Sequence, residues 1–153
     1  MTAPQTITLQ PITKSNWKEC VNLSVAADQT KFVPDNLYSI AEAQFYPDAV
    51  PLAIYDDHQM VGFIMYGRDE QTHKWKIFRL MVEVTHQGKG YARAALQQVI
   101  TEIARHPDSD EIIICYHNSN QAARNLYTKL GFTEQSVNDQ GVVTALLFNS
   151  AKL

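Results

Sequence analysis

Hydrophobic positions along this chain change their period several times, and each change predicts an element. In 6–9, Ile7 and Leu9 alternate with threonines, which predicts a short first strand. Trp17, Cys20, Val21 and Ser24 recur at helical spacing, so a helix is predicted over 16–27 with Ser15 as its cap. A polar segment, 28–36, is broken by Pro34, and a second helix over 37–45 ends before Pro47. Two apolar runs, 52–55 and 60–66, flank the polar turn 56–59, and a third strand follows at 74–84. These three form an antiparallel meander.

The second half is more sharply patterned. Ala92, Ala95, Leu96, Val99, Ile100 and Ile103 make the best amphipathic stripe in the chain, predicted to open near Gly88 and to stop at His106-Pro107. The continuous apolar run 111–116 then reads as a strand buried on both faces and parallel to a neighbour, which completes a β-α-β crossover. Asn118 or Ser119 caps a last helix whose Ala122, Ala123, Leu126, Tyr127 and Leu130 share a face. Gly131 is placed to be its left-handed C-terminal residue. A closing hairpin joins 132–137 to 142–148 through the polar turn 138–141.

The order β-α-α-β-β-β-α-β-α-β-β predicts an α/β (α+β) fold over 1–153. It is a single domain with a mixed, mostly antiparallel seven-stranded sheet and helices on both faces. At 153 residues, with 45% hydrophobic and 19% charged, the chain is long enough for a substantial core.

Charge and cysteines narrow the partners. A net charge of −3 argues against a nucleic-acid binder, which needs a basic stripe to displace counterions, and mildly favours cationic small molecules. The first residues lack the charged and apolar regions of a signal peptide, and no apolar run approaches a membrane span, so a cytoplasmic location without a membrane partner is expected. Cys20 and Cys115 are too few for a disulfide framework and have no metal-ligand spacing with the histidines, so no metal is expected.

The chemistry concentrates at Gln87-Gly88-Lys89-Gly90-Tyr91-Ala92, between the third meander strand and the striped helix. The first N–H groups of a helix lack intrahelical partners, the macrodipole adds partial positive charge, and glycine lets an anion approach the backbone. A Walker A pattern is absent, and Arg93 stands where a dinucleotide fingerprint needs a third glycine. Taken alone, the loop is either an anion site or a ligand-free turn.

Three features together resemble the GNAT superfamily of acetyl-CoA-dependent N-acetyltransferases over nearly the whole chain. Gln87-x-x-Gly90-x-Ala92 is similar to the family's [Q/R]-x-x-G-x-[G/A] signature, with Gly88 and Lys89 also typical. Asn120 lies on the helix after the buried strand, and Tyr127 is followed by Lys129-Leu130-Gly131-Phe132, like the family's Y-x-x-x-G-F ending. The resemblance implies that the backbone of Leu80, Met81 and Val82 pairs with the pantetheine arm of acetyl-CoA. It implies that N–H groups from Gly88 through Lys89, Gly90, Tyr91 and Ala92 to Arg93 hold the pyrophosphate. Asn120 would bond near the pantetheine, and Tyr127 would direct its hydroxyl at the thioester sulfur.

Acetyl transfer to an amine asks for these parts in any case. An alkyl amine with a pKa near 10.4 must lose a proton to a base or a water chain. The oxyanion needs a donor such as the Val82 N–H, and the leaving thiolate gains from an acid, Tyr127. Glu83 is the named base among Asp69, Glu70, His73 and His117. Spacing alone makes Tyr127 a packed core tyrosine with its hydroxyl tied off, and Asn120 a first-turn residue. Cys115 and His117 share a strand face, which raises a cysteine-nucleophile alternative, although a thiol in an Ile-rich strand behaves as a small hydrophobe.

The segments 29–36, 39–43, 51–55 and 61–67 are similar to bacterial spermine/spermidine N-acetyltransferases, with Asp28, Asp35 and Glu42 expected around the acceptor mouth. The chain departs from that subgroup at Phe78, which precedes Arg79 where relatives commonly carry Asp. The expected acceptor is the primary amine of a small cationic molecule such as a polyamine. The alternatives are a protein or peptide amine, or a non-catalytic acyl-CoA-binding module. The closing hairpin, with Val142, Val143, Leu146 and Phe148, is a candidate homodimer surface.

Overall fold

A computed structural model describes residues 6–149; the segment 1–5, which the expectation about a signal peptide concerns, lies outside them. Among the described residues, seven strands form one sheet: β1 Ile7–Pro11, β2 Val50–Asp56, β3 Gln59–Arg68, β4 Trp75–Val82, β5 Glu111–His117, β6 Thr133–Val137 and β7 Val142–Phe148. Among the same residues, four α-helices join them: α1 Trp17–Asn22, α2 Asn36–Ala43, α3 Tyr91–Ala104 and α4 Gln121–Lys129. The spatial order is β1-β2-β3-β4-β5-β7-β6, with β4 and β5 the parallel pair and every other pairing antiparallel.

Adjacent residues of the central strands enter different cores, as alternation across a sheet requires. Ala53 and Phe63 pack with Cys20 of α1 and with Ile40 and Ala43 of α2, whereas Ile54 and Ile64 pack with Leu96, Val99 and Ile103 of α3. Helices therefore cover both faces. Each large side chain buried on the α3 stripe contributes about 1.5–3 kcal/mol of transfer free energy, and this fixes the crossover that carries the glycine loop.

Several boundaries differ from the sequence expectation. Asn16, not Ser15, stands before α1, which ends at Asn22; Leu23 is extended, with φ −68° and ψ 139°. Ser24 is then held by a distant partner, its carbonyl accepting the Val84 N–H at 2.8 Å. Strand β4 ends at Val82, and a 3-10 turn over Val84–His86 follows it. Helix α3 begins only at Tyr91, because Gly88 and Gly90 adopt φ of 79° and 87°, outside the right-handed helix. The cap of α4 is Asn120, whose Oδ1 accepts the Ala123 N–H at 3.2 Å. Asn118 is engaged elsewhere, its N–H donating to Gly141 O at 2.8 Å. Strand β5 is buried on one face only, with Ile112, Ile114 and Tyr116 inside and Ile113, Cys115 and His117 progressively open.

Strands β4 and β5 do not stay together. They pair only at Trp75–Ile112, Lys76–Ile113 and Ile77–Ile114. Against β3 the register jumps at the same place: Met65 faces Arg79 and Tyr66 faces Ile77, so Phe78 is an extra residue. A bulge bends its strand and sharpens its twist. Beyond Phe78, β4 leaves β5 while β5 remains paired to β7 along its length, and a gap opens through the sheet.

Candidate active site between strands β4 and β5

The gap is a groove of about 720 Å³. From the α3 side it is lined by Ile114, Ala123, Leu126 and Tyr127, and from the α1 and α2 side by Lys31, Phe32, Val33 and Pro34, so it passes from one face of the sheet to the other. Its floor is β4. Strand β5 does not pair with residues 78–82, so the edge of that stretch faces the groove; Phe78 O there accepts from Arg79 and Val82 O from Gln87, and the remaining outward groups are open to an extended ligand.

The glycine loop forms one end. Gly88 and Gly90 are both left-handed, and a Cβ built on either meets nothing within 4 Å, so open space lies over the loop. The first intrahelical acceptor used by α3 is Gly90 O, bonded by the Ala94 N–H at 3.1 Å. The N–H groups of Tyr91, Ala92 and Arg93 thus lack helical acceptors. Two left-handed glycines before a helix of 14 residues make a concave row of donors suited to a phosphate. Tyr91 anchors that helix by donating its hydroxyl to Asp56 of β2.

Tyr127 lines the groove and is only 8% exposed. Its ring lies 5.3 Å from Tyr116 and 5.9 Å from Phe132. Among the described residues no group hydrogen-bonds its hydroxyl, and that oxygen is not sealed from the groove. The phenol is therefore not tied off. Burial, and then the neighbouring Tyr116, push its pKa above the ordinary phenol value, which keeps it protonated.

Asn120 does two things at once. Its Oδ1 caps α4 while the residue also lines the groove, and no described residue accepts from its Nδ2. Leu80, Met81, Val82, Gln87, Gly88, Gly90, Tyr91, Ala92 and Arg93 all line the same groove, together with Asn120 and Tyr127. Lys89 and Glu83 do not. The Glu83 carboxylate accepts the N–H of Ser24 instead.

The acceptor end was less legible. The loop after α1 folds over the groove, and Phe32 brings its ring to 6.3 Å from that of His117, at the end of β5. His117 Nδ1 accepts the Ser119 N–H at 3.1 Å. Asp35 caps α2 by accepting the Tyr38 N–H at 2.8 Å, and Glu42 pairs with Arg79 at 3.0 Å. Neither acid lines the groove, whose cations at this end are Lys31, Lys76 and Arg79. Gln29, which lines the groove and bonds Gln87, stands out in the sequence only as part of the polar segment and of the run 29–36 that resembles the polyamine acetyltransferases, with no role of its own.

Cys115 is half-buried with Sγ 3.7 Å from Thr144 Oγ1, and Cys20 is fully buried, its thiol pushed up to about 12 by burial and then by Glu19. Among the described residues, no group of three His, Cys, Asp or Glu side chains is placed to hold a metal, and no helix is long and apolar enough to cross a membrane.

The pattern of the acetyltransferase (GNAT) family matches residues 15–132. A spermine/spermidine N(1)-acetyltransferase of Bacillus subtilis (strain 168) is 24% identical over 132 residues, covering 82% of this chain and 87% of that one. Among solved structures, spermidine N-acetyltransferase from Vibrio cholerae in complex with CoA and spermine superposes with TM-score 0.75 at 16% identity, covering 94% of this chain and 96% of that chain. A ribosomal L7/L12 alpha-N-protein acetyltransferase in complex with coenzyme A gives TM-score 0.79 at 17% identity, covering 97% and 98%.

Proposed function

We propose, taking as premise that the chain belongs to the acetyltransferase (GNAT) family and is an acetyl-CoA-dependent N-acetyltransferase, that it acetylates the primary amine of a small molecule by direct attack, with Tyr127 as general acid. The observation that carries this is the Tyr127 phenol, which lines a groove that opens on both faces of the sheet and whose hydroxyl has no hydrogen-bond partner among the described residues.

The amine nitrogen forms a bond to the acetyl carbon and the carbon–sulfur bond breaks. The ammonium first releases one proton to solvent; after attack Tyr127 gives its proton to the departing sulfur, and the second proton lost by the nitrogen returns to the phenolate. The free edge of Leu80, Met81 and Val82 aligns the pantetheine arm, and the Val82 N–H is the oxyanion donor. The N–H groups from Gly88 to Arg93 hold the pyrophosphate, and Asn120 uses its remaining amide donors on the donor arm. Direct attack also leaves Cys115 without a covalent role.

A small acceptor is supported by the contact of Phe32 with His117, which roofs the acceptor end where a peptide needs an open groove. Polyamines such as spermidine and spermine are the first acceptors to test, supported by the names of the relatives. A second class has its own observation: with Arg79 paired to Glu42 and Lys76 to Asp69, Lys31 lines this end without a carboxylate partner among the described residues, which suits an amine that also carries an anion. The homodimer and the cytoplasmic location also stand as proposals; of the four expected surface residues Val143 is fully buried and only Phe148 is exposed, and the neighbouring Val137 joins it in supporting a dimer face on the closing hairpin.

Thiol release from acetyl-CoA, measured against polyamines, amino acids, aminoglycosides and peptides, tests the function. Release with one of the small amines is expected. No release with any amine would reduce the protein to an acyl-CoA-binding module.

A further inference from the structure

Gln29 belongs to the loop that shapes the acceptor end, yet its side chain is bound to the donor loop. Gln87 Nε2 donates to Gln29 Oε1 at 2.8 Å, and Gln29 Nε2 donates back to Gln87 Oε1 at 3.3 Å. The pair is continued on both sides. Gln29 Oε1 also accepts the Ala26 N–H at 3.0 Å, which holds the 3-10 turn Ala27–Gln29. Gln87 Nε2 also donates to Val82 O at 3.0 Å.

An unbroken line of hydrogen bonds thus runs from the last residue of β4, through the residue before the two left-handed glycines, to the turn that presents Lys31, Phe32 and Val33. The loop is pinned at its root as well, where Ser24 bonds both Glu83 and Val84. Between these tethers and the Phe32–His117 contact, no other hydrogen bond joins residues 25–34 to the sheet or to α3 among the described residues.

We propose that Gln29 is a positioning residue that couples the two substrate sites: a donor seated on the loop from Gln87 to Arg93 fixes the acceptor loop through the Gln29–Gln87 amide pair. The inference rests on the donor site proposed above. A phosphate held by the neighbouring N–H groups restrains Gln87, Gln87 restrains Gln29, and the ordering of the acceptor loop is then in place before the amine arrives. Because coupling between sites is reciprocal, a bound amine tightens the donor by the same factor, commonly roughly 5–150-fold.

Hydrogen–deuterium exchange of the full chain with and without CoA reads this directly, without knowledge of the amine. In the wild type, CoA is expected to slow exchange by roughly fivefold or more in both 86–93 and 26–34. In Gln29→Ala, the protection of 86–93 should persist while that of 26–34 is lost, with an unchanged melting temperature. With an active amine in hand, the same variant should raise the amine KM by a similar factor and lose the tightening of CoA by the amine.

Equal protection of 26–34 in the variant, or none there in the wild type, overturns the coupling. So does a variant that exchanges faster throughout the chain and melts earlier, since Gln29 would then be merely structural. CoA that protects neither segment of the wild type removes the donor site and the coupling together, whereas protection of 86–93 alone leaves the donor site standing.

Discussion

Tyr127 and Phe132 hold each other across the end of α4, ring to ring at 5.9 Å and at 62°. The backbone makes the same connection. The Phe132 N–H bonds Tyr127 O at 3.0 Å and the Gly131 N–H bonds Thr128 O at 3.1 Å, with Gly131 left-handed at φ 99°. This is a Schellman ending, in which an apolar contact between the same two positions accompanies the pair of bonds. The spacing from tyrosine to glycine and phenylalanine therefore has a local cause: the cap holds the Tyr127 side chain in place.

Tyr127→Phe is expected to lower kcat by on the order of 10²-fold, the lower end for general acid–base catalysis, with the Kd for CoA little changed. Because burial and then Tyr116 raise its pKa above that of a free phenol, the wild type should show no alkaline loss of kcat from this group up to about pH 10. Steady-state kinetics over pH 6–10 check both; unaltered turnover would remove Tyr127 from the mechanism.

Gly131→Ala puts a Cβ on a left-handed residue, 3.2 Å from Leu147 Cδ1. The expected destabilisation is about 1–2 kcal/mol, read as a lower urea midpoint at constant slope. Turnover should fall with it, since the cap positions Tyr127. A midpoint equal to the wild type would mean that the ending tolerates a side chain.

Glu83→Gln separates a base from a tether. The glutamine oxygen still accepts the Ser24 N–H that the carboxylate holds now, so kcat within about threefold of the wild type is expected, whereas a lost general base costs on the order of 10²–10⁴. Glu83→Ala, which frees the root of the acceptor loop, should raise the amine KM. A collapse of kcat in the glutamine variant would restore Glu83 as the base.

Tyr116 gives stability an alkaline limit. Burial first, and then its hydrogen bond to Glu134 at 2.7 Å, push its pKa up to about 12. The unfolded chain ionises near pH 10 and so loses its proton first. The contribution is complete below about pH 10 and fades as pH climbs towards 12. Urea unfolding at pH 9 and pH 11 should show a smaller loss between the two in Tyr116→Phe than in the wild type.

Local patterns were readable where one periodicity governs an element. The stripe from Ala92 to Ile103 predicted α3, and the run of isoleucines predicted β5, because burial against one neighbour decides both. Long-range bonds were not readable. Helix α1 stops early because Ser24 is claimed by Glu83 and Val84, which lie far along the chain. The cap of α4 falls on Asn120 because Asn118 is drawn to Gly141 across the β7 turn. At the site, the glycine loop and Tyr127 stood out as motifs, since each encodes its own local geometry. The acceptor end did not, because the loop carrying Gln29 and Phe32, Arg79 of β4 and His117 of β5 come from separate elements with no shared spacing.

The extra residue at Phe78 has a practical consequence for mutagenesis. It is the parting of two strands that exposes the edge of Leu80, Met81 and Val82, and what that edge offers is peptide N–H and C=O groups. Truncating those three side chains leaves every such group in place. An alanine scan across the floor of the groove would accordingly register packing losses at Met81 and Val82 and remain blind to recognition. Amide-to-ester replacement of single peptide bonds, which deletes one donor and spares the side chain, is the substitution to which this surface responds.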